Sequence, residues 1–325
     1  MVSHRKILNK HREHFEKINE ELTEGLSSRI ALIEDIGNHS LLGHGKRLRP
    51  LFFVLSCELC NYRGNDLHKL STIFEYIHTA SLLHDDVLDN ADMRRKKPSA
   101  NNVWGNHAAV LEGDFLYSKS FSLAVGSENL QFLRRLTETT TKMAEGQVLE
   151  LIHTHNWSIS KGEYLEIITA KTAVLISAAC ACGAIISGAG EEAIQSLERF
   201  GLKMGIAFQL MDDLLDYSAS QETLGKPVGK DLKEGKITLP LIYTLPTLEG
   251  AKRRSLEELF KSSRATDEDY RDLIALVKGN GAIERILREA RSYTEEAAKC
   301  LSPFPESNVK EDLLELNRYV VEREY

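Results

Sequence analysis

The stretch that decides the fold lies at residues 77–89 and reads IHTASLLHDDVLD, an apolar run at helical spacing that ends in three aspartates. A second copy of this ending, MDDLLD, lies at residues 211–216 after another apolar run. Residues four apart share one face of a helix, so Asp85 projects beside Asp89, and Asp212 beside Asp216. Like charges at that spacing repel one another, and a hard divalent cation such as Mg2+ is the usual compensation. One copy alone could equally be a solvated acidic helix end, but two copies favour a cation site.

Helical periodicity extends over the whole chain. Of the 325 residues, 42% are hydrophobic and only 7 are proline, which leaves long stretches that can be helical. No alternation typical of strands persists. We therefore predict an all-α fold, a single-domain helical bundle over residues 1–325. The expected helices cover about 5–35, 51–61, 66–90, 107–125, 129–154, 161–187 and 191–217, with shorter helices over 237–325.

Composition excludes several classes of function. A formal net charge of -7 argues against nucleic acid as a partner, because a phosphate backbone needs a basic surface. No secretory signal and no membrane-spanning helix are expected, because no apolar run is long enough. The odd number of cysteines fits a reducing compartment, with Cys57 packed in the core. We expect a cytoplasmic protein with scattered surface histidines, among them His11.

Basic residues accompany both aspartate patterns. Arg94 and Arg95 come about one turn beyond Asp89, and Lys226 and Lys236 flank the loop after the second pattern. A third group consists of Lys46, Arg47 and Arg49. Each group alone is more often a solvated surface. Together with two acidic cation sites, they predict a substrate with a polyanionic head bridged by Mg2+, most simply a diphosphate.

Other catalytic patterns are missing from the sequence. Neither a P-loop nor a dinucleotide-binding glycine pattern is present, which argues against a nucleotide hydrolase. A serine or cysteine nucleophile with a partnered base is not evident either. His78 lies about two turns before Asp85 on nearly the same helix face, where it is either part of the site or a hydrogen-bonded core histidine.

Six motifs in order carry a resemblance to a known family. They are GKRLRP at residues 45–50, the two aspartate patterns, MAEGQ at 143–147, Lys171-Thr172 and the stretch from Gly225 to Pro240. In this order they resemble the trans-type polyprenyl diphosphate synthases over about residues 43–245. The resemblance implies an all-α bundle around a deep central cavity, usually assembled as a homodimer. His44 and Lys96 depart from the usual glycines at their positions, and both lie in loops.

The resemblance also implies roles for individual residues. Asp85 and Asp89 would bind two Mg2+ ions, and Asp212 with Asp216 a third, so about three ions serve one active site. The allylic diphosphate, for example farnesyl diphosphate, would be held by Arg94, Lys171, Thr172, Gln209, Lys226 and Lys236. Isopentenyl diphosphate would be held by Lys46, Arg49, His78 and Arg95. Asp85, Asp89, Asp212 and Lys171 would be the catalytic residues.

Two rival classes share part of this pattern. A terpene cyclase would have the first aspartate pattern and the helical fold, but its second metal motif usually carries other ligand types than Asp212 and Asp216. It would also lack the isopentenyl site. A non-catalytic subunit of a heteromeric synthase would be expected to have lost aspartates, and this chain retains them all.

Small residues before the first pattern bear on product length. Ala80 and Ser81 lie one turn before Asp85, where short-chain members of the resembled family carry bulky aromatic residues. Without that obstruction the product should grow well past fifteen carbons. Residues 102–117 also resemble long-chain members that make quinone side chains. We predict a product of about eight units, octaprenyl diphosphate, which is membrane-soluble although the protein does not span a membrane.

Overall fold

Helices account for almost all regular structure in the part of the chain that the structure describes. The computed structural model describes residues 9–42, 45–95, 97–218, 229–262 and 264–322. Two strands of two residues each, β1 (Met93–Arg94) and β2 (Lys97–Pro98), form an antiparallel pair in which Arg94 is opposite Lys97. The prediction of an all-α fold is confirmed.

Most helices of the first half follow the predicted boundaries closely, but the helix Ala31–Ser40 extends beyond the predicted range 5–35, and the short helix Ala100–Trp104 is not predicted. In chain order they are α1 (Arg12–Gly25), α2 (Ala31–Ser40), α3 (Leu48–Leu59), α4 (Leu67–Leu88), α5 (Ala100–Trp104), α6 (Asn106–Gly126) and α7 (Leu130–His153).

The second half contains one interruption that periodicity did not predict. Its helices are α8 (Lys161–Ile168), α9 (Val174–Ile186), α10 (Glu191–Ser218), α11 (Lys230–Lys233), α12 (Leu239–Thr244), α13 (Gly250–Lys261), α14 (Asp267–Gly279), α15 (Ala282–Cys300) and α16 (Asn308–Glu322). A single π-helical turn, Thr169–Ala173, separates α8 from α9, where one continuous helix over 161–187 was expected. A short 3-10 turn, Leu245–Thr247, follows α12.

The contacts divide the chain into two compact units. Unit 1 contains Met1–Thr141, Leu175–Gly201 and Ala298–Leu316, and unit 2 contains Lys142–Val174, Leu202–Ala297 and Asn317–Tyr325. Segments of the two units therefore alternate along the sequence. The single domain over residues 1–325 stays a prediction.

Helix α4 is the central element of unit 1. It packs against α1, α3, α5 and α6, and residues such as Phe74, Tyr76 and Ile77 are fully buried along it. The helix ends at Leu88, and the backbone N–H of Asp89 still bonds the carbonyl of Asp85 at 2.8 Å. Burial of its apolar length therefore fixes the position of the first aspartate pattern.

A second close contact in unit 1 joins α9 to α3. A Cβ added at Gly183 would lie 2.8 Å from the carbonyl oxygen of Phe53, so the two backbones approach too closely for a side chain. Cys57, on the same face of α3, is fully buried and not disulfide-bonded. The prediction of a core cysteine is confirmed.

In unit 2 two glycines allow close packing around the π-helical turn. A Cβ at Gly146 of α7 would lie 2.8 Å from the backbone nitrogen of Lys171, and one at Gly205 of α10 would lie 2.7 Å from the Cα of Ala173. Helix α8 begins with a capping box in which Ser160 and Glu163 bond each other's backbone N–H groups. These contacts place the turn that carries Lys171 and Thr172 at a defined point.

One helical stretch of the described chain is strongly apolar. Residues Lys161–Ile186 form a helical stretch that is long and apolar enough to cross a membrane by length and composition. However, most of this stretch is buried within the protein, which is typical of a core helix.

One histidine does not lie where the sequence predicted. His11, expected at the surface, is buried, and its Nε2 lies 3.3 Å from Oδ2 of Asp312. Its environment comes from a segment remote in sequence, which a local pattern does not reveal.

Glu112 is a buried carboxyl group on the core-facing side of α6. It is 2% exposed, and neither carboxyl oxygen has a hydrogen-bond partner among the residues that the structure describes. A Cβ at Gly37 of α2 would lie 3.2 Å from its Oε1, so the group faces α2. Burial raises the pKa of Glu112 to about 7.

We predict that Glu112 makes the protein less stable as the pH rises. The pKa of Glu112 in the folded state lies above its pKa in the unfolded state, so the folded state binds the proton more tightly. The free energy of unfolding should therefore fall by about 3 kcal/mol as the pH rises from about 4.5 to about 7. Glu112→Gln should remove this component, which urea unfolding at pH 5 and pH 8 would measure. Exposed Glu138→Gln on α7 is the control. An unchanged pH dependence in Glu112→Gln would contradict the prediction.

Candidate functional site

The three aspartates at the end of α4 differ in their surroundings. Asp86 is 3% exposed and accepts hydrogen bonds from Nε of Arg94 at 2.9 and 3.2 Å. Asp85 and Asp89, one turn apart, are only half-buried. Asp86 forms a buried ion pair with Arg94. Asp85 and Asp89 are therefore the two carboxylates of this pattern that are best placed to bind a cation.

His78 lies on α4, the helix that carries Asp85, and several arginines lie near it. Burial, followed by the positive charges of Arg49, Arg95, Arg94 and Arg47, lowers the pKa of His78 well below its usual value. The imidazole is therefore neutral at physiological pH and can donate or accept a hydrogen bond. The structure thus places Arg49 and Arg95 near enough to act on the charge of His78, and their common role in binding isopentenyl diphosphate stays a prediction.

Arg47 differs from its neighbours in the basic group at 46–49. It is 4% exposed, its Nη1 lies 2.6 Å from Oε1 of Glu75, and its Nε donates to Oδ1 of Asn19 at 3.1 Å. Arg47 therefore holds the loop in place through Glu75 and Asn19. Lys46 is exposed and Arg49 half-buried.

Gly45 lies close to two of these arginines. A Cβ at this position would contact the guanidinium of Arg47 and would lie 3.3 Å from Nη1 of Arg95. Arg95 has a φ of 50°, while Arg94, one residue earlier, pairs with Asp86. The two adjacent arginines therefore lie in different surroundings, Arg94 beside Asp86 and Arg95 near Gly45.

The two small residues before the first pattern are buried to different degrees. Ala80 is fully buried, so its methyl group belongs to the packed interior of unit 1. Ser81 is half-buried, and its Oγ donates to the carbonyl of His78 at 2.8 Å.

The second aspartate pattern, in unit 2, also has a buried middle residue. Asp213 is 4% exposed and accepts hydrogen bonds of 2.6 Å from the hydroxyl of Tyr164 and from Nε2 of Gln209. Burial, with the charges of Asp212 and Asp216, raises its pKa to about 7. Gln209, a predicted diphosphate ligand, thus bonds a carboxyl group here.

The outer aspartates of the second pattern are not equivalent. The carboxylate of Asp216 accepts the backbone N–H of Lys230 at 3.2 Å and of Asp231 at 3.0 Å. It therefore ties the start of α11 to the end of α10. Asp212 is half-buried one turn earlier.

Two predicted lysines of unit 2 meet at one carboxylate. Lys171 Nζ lies 2.5 Å from Oε2 of Glu150, and Lys236 Nζ lies 3.9 Å from the same oxygen. Lys236 also lies 2.8 Å from Oε2 of Glu234. Thr172 is half-buried in the same π-helical turn as Lys171. Lys226, predicted beside them, lies outside the described residues, as do His44 and Lys96.

Two residues of this region were missed by sequence reasoning. Glu150, which both lysines contact, comes three residues after Gln147, the last residue of a recognised motif. Tyr164, which bonds Asp213, lies on a different helix. The Gln147–Glu150 spacing could have suggested Glu150, whereas no local pattern indicated Tyr164.

The donor groups fit a hard divalent cation. Both patterns offer half-buried carboxylates one turn apart. Within the described ranges, no group of three or more His, Cys, Asp or Glu side chains is arranged as a complete metal site. Substrate oxygens and water would have to complete the coordination, as is usual for Mg2+. The described residues therefore suit a metal that binds together with a phosphate-bearing substrate.

Comparison with known proteins identifies the family. The family model "Polyprenyl synthetase" matches residues 30–277. An octaprenyl diphosphate synthase of Haemophilus influenzae is 36% identical, covering 95% of this chain and 94% of its own. A nonaprenyl diphosphate synthase of Rhodobacter capsulatus is 38% identical, with coverages of 95% and 94%.

A solved structure extends this similarity to the fold. The polyprenyl synthase of Caulobacter crescentus, crystallised with calcium and isoprenyl diphosphate, has a TM-score of 0.93 and 37% identity. The match covers 98% of this chain and 97% of that one. The predictions of a long-chain polyprenyl diphosphate synthase and of a prenyltransferase are confirmed, and divalent metal use fits the family. The chain belongs to the polyprenyl synthetase family.

Proposed function

We propose that this chain is an Mg2+-dependent synthase that condenses isopentenyl diphosphate onto an allylic diphosphate such as farnesyl diphosphate. The observation that carries the proposal is that each half-buried carboxylate pair is accompanied by basic side chains. Arg94 pairs with Asp86, between Asp85 and Asp89. In the second pattern Asp216 accepts the backbone N–H of Asp231, and the carbonyl of Asp231 accepts the backbone N–H of Lys236. An acidic cation site with adjoining cations suits a diphosphate better than any other common substrate group.

The site residues divide between the two substrates in this proposal. Arg94, Lys171, Thr172, Gln209, Lys226 and Lys236 hold the allylic diphosphate. Lys46, Arg49, His78 and Arg95 hold isopentenyl diphosphate. The ion pairs of Arg94 with Asp86 and of Lys171 with Glu150 support the assignment, because they keep each cation's head group oriented before substrate arrives.

The reaction follows from charge stabilisation. Arg94, Lys171 and Lys236 stabilise the negative charge that develops on the diphosphate as the allylic C–O bond breaks. The double bond of isopentenyl diphosphate then attacks the allylic carbon, a C–C bond forms, and a proton leaves to the released diphosphate. A neutral His78 donates a hydrogen bond to the diphosphate of isopentenyl diphosphate without acting as a competing acid.

Divalent metal is part of the proposal. Asp85 and Asp89 would hold two Mg2+ ions and Asp212 with Asp216 a third, about three in all. Bound there, Mg2+ supplies Lewis-acid neutralisation of the leaving diphosphate. The backbone hydrogen bonds to Asp216 leave Asp212 as the principal carboxylate of the second pair.

The proposed product has about eight isoprene units. Support comes from the octaprenyl and nonaprenyl synthases among the similar proteins, and from the small side chains of Ala80 and Ser81 on α4. Without a bulky residue there, each further five-carbon unit that enters an apolar environment gains up to about 4 kcal/mol.

We further propose a cytoplasmic homodimer. Helix α6 buries one face through Ala109 and Leu116, yet Leu111 is 66% and Val125 60% exposed. Large exposed apolar side chains on one helix are typical of an interaction surface. Sedimentation should give a dimer for the wild type and a monomer for Leu111→Glu with Val125→Glu; a dimeric double variant would contradict this surface.

Metal dependence and pyrophosphate release test the function. The purified chain should release pyrophosphate from farnesyl diphosphate and isopentenyl diphosphate when Mg2+ is present, and stop when a chelator is added. Omitting isopentenyl diphosphate should abolish elongation. Elongation that continues in excess chelator, or release that needs no isopentenyl diphosphate, would contradict the proposal.

The adjacent arginines give a prediction about substrate preference. Arg95→Gln should raise the KM for isopentenyl diphosphate more than the KM for the allylic substrate, by about tenfold, because it removes one charged contact with that diphosphate. Arg94→Gln should affect the allylic substrate instead. Steady-state kinetics with each substrate varied in turn measure both. Equal changes for both substrates in Arg95→Gln would rule out the division.

A further inference from the structure

Glu150 holds the two lysines that the proposed function assigns to the allylic diphosphate. Its Oε2 lies 2.5 Å from Lys171 Nζ and 3.9 Å from Lys236 Nζ, and Nε2 of Gln147 lies 3.5 Å away. Lys171 comes from the π-helical turn and Lys236 from the segment after α11, which are remote in sequence. One carboxylate therefore lies close to two ammonium groups that would otherwise repel each other, and Lys236 also pairs with Glu234 at 2.8 Å.

The backbone around Glu150 makes this arrangement rigid. One turn before it, Gly146 brings α7 so close to the π-helical turn that a Cβ would lie 2.8 Å from the nitrogen of Lys171. Glu150 and Lys171 are each about one-fifth exposed, at 19% and 21% of their side-chain surface. A partly desolvated charge pair held between packed backbones interacts more strongly than a surface pair.

We propose that Glu150 is a positioning residue that acts as an internal counter-charge, occupying the place of the diphosphate when none is bound. It orients Lys171 and Lys236 before substrate arrives, and it takes their ammonium groups back when pyrophosphate leaves. This rests on the proposed function, because it requires both lysines to contact the diphosphate. No bond is made or broken in this exchange; the carboxylate and the phosphate oxygens compete for the same donors.

This competition predicts a change in pyrophosphate affinity that is opposite in direction to the change expected from a purely structural role. Removing the charge of Glu150 takes away the carboxylate closest to Lys171, while Lys236 keeps its ion pair with Glu234, so pyrophosphate should bind more tightly, mainly through Lys171. Because product then leaves more slowly, kcat should fall. A residue that merely supports the fold would weaken binding and turnover together.

Pyrophosphate titration by calorimetry, in excess chelator, tests the inference without metal or turnover. Glu150→Gln is expected to bind pyrophosphate about tenfold more tightly than the wild type, the effect of one charged competitor. Glu150→Asp, which keeps the charge on a shorter side chain, should lie within about threefold of the wild type. Glu145→Gln, which removes an exposed charge on the same helix, should match the wild type.

The outcomes separate this inference from the function on which it rests. Lys171→Met should weaken pyrophosphate binding; if it does not, the assignment of Lys171 to the diphosphate is wrong. If Lys171→Met weakens binding while Glu150→Gln binds pyrophosphate no more tightly than the wild type, the counter-charge role is wrong. Should Glu150→Gln fail to fold, Glu150→Ala is titrated in its place, and unchanged affinity overturns the inference equally.

Discussion

Asp85→Ala is expected to lower turnover by about a thousandfold or more while leaving the fold intact. The carboxylate sits half-buried at the end of α4, one turn from Asp89, and in the proposed function it holds the metal that neutralises the leaving diphosphate. Removing one of two neighbouring like charges relieves repulsion, so the metal-free protein should be as stable as the wild type or slightly more stable. Pyrophosphate release and thermal unfolding without metal measure the two effects.

A matched control separates this effect from a change of surface charge. Asp92→Ala removes an exposed aspartate from the segment after α4 and should leave turnover unchanged. Asp86 is unsuitable as a control, because its loss would leave Arg94 without its buried partner. Near-normal turnover in Asp85→Ala would mean that Asp85 is not a metal ligand.

Ser81→Phe is expected to shorten the product to about three or four isoprene units while the first condensation stays active. Ser81 lies one turn before Asp85 and is half-buried, so a phenylalanine there can project without entering the packed interior. Growth of the tail into an apolar space then meets an aromatic ring, and the gain of up to about 4 kcal/mol per unit is lost. Mass measurement of the products distinguishes the two lengths.

Ser81→Ala is the control, because it removes only the hydroxyl that bonds the carbonyl of His78. Its product length should equal that of the wild type. Ala80→Phe is expected to shorten the product in the same way, but Ala80 is fully buried, so this variant also strains the interior of unit 1. An unchanged product distribution in Ser81→Phe would show that this face of α4 does not limit the tail.

The helices and the two aspartate patterns were predictable because both depend on spacing along the chain. Apolar residues every three or four positions indicated α4 as residues 66–90, and the structure has Leu67–Leu88. The same rule indicated α6 as 107–125 against Asn106–Gly126. It did not indicate the π-helical turn at Thr169–Ala173, since one extra residue in a turn barely changes the pattern of apolar positions.

The partners of charged residues could not be predicted in this way. Arg47 was read with its basic neighbours, but it pairs with Glu75, which lies on another helix. Asp216 repeats the spacing of Asp89, yet its carboxylate accepts the backbone N–H groups of Lys230 and Asp231, 14 and 15 residues further along the chain. Glu150 was not predicted as a site residue, because the two lysines near it, Lys171 and Lys236, are remote from it in sequence. Each case depends on which segments fold together, and a single segment does not carry that information.

The most direct test of the proposed long-chain synthase function is the mass of the product that the purified chain makes from farnesyl diphosphate and isopentenyl diphosphate with Mg2+. We expect a series of polyprenyl diphosphates whose main product has about eight isoprene units. A main product that stops at fifteen or twenty carbons would contradict the predicted length. The absence of any elongation beyond farnesyl diphosphate would contradict the proposed function itself.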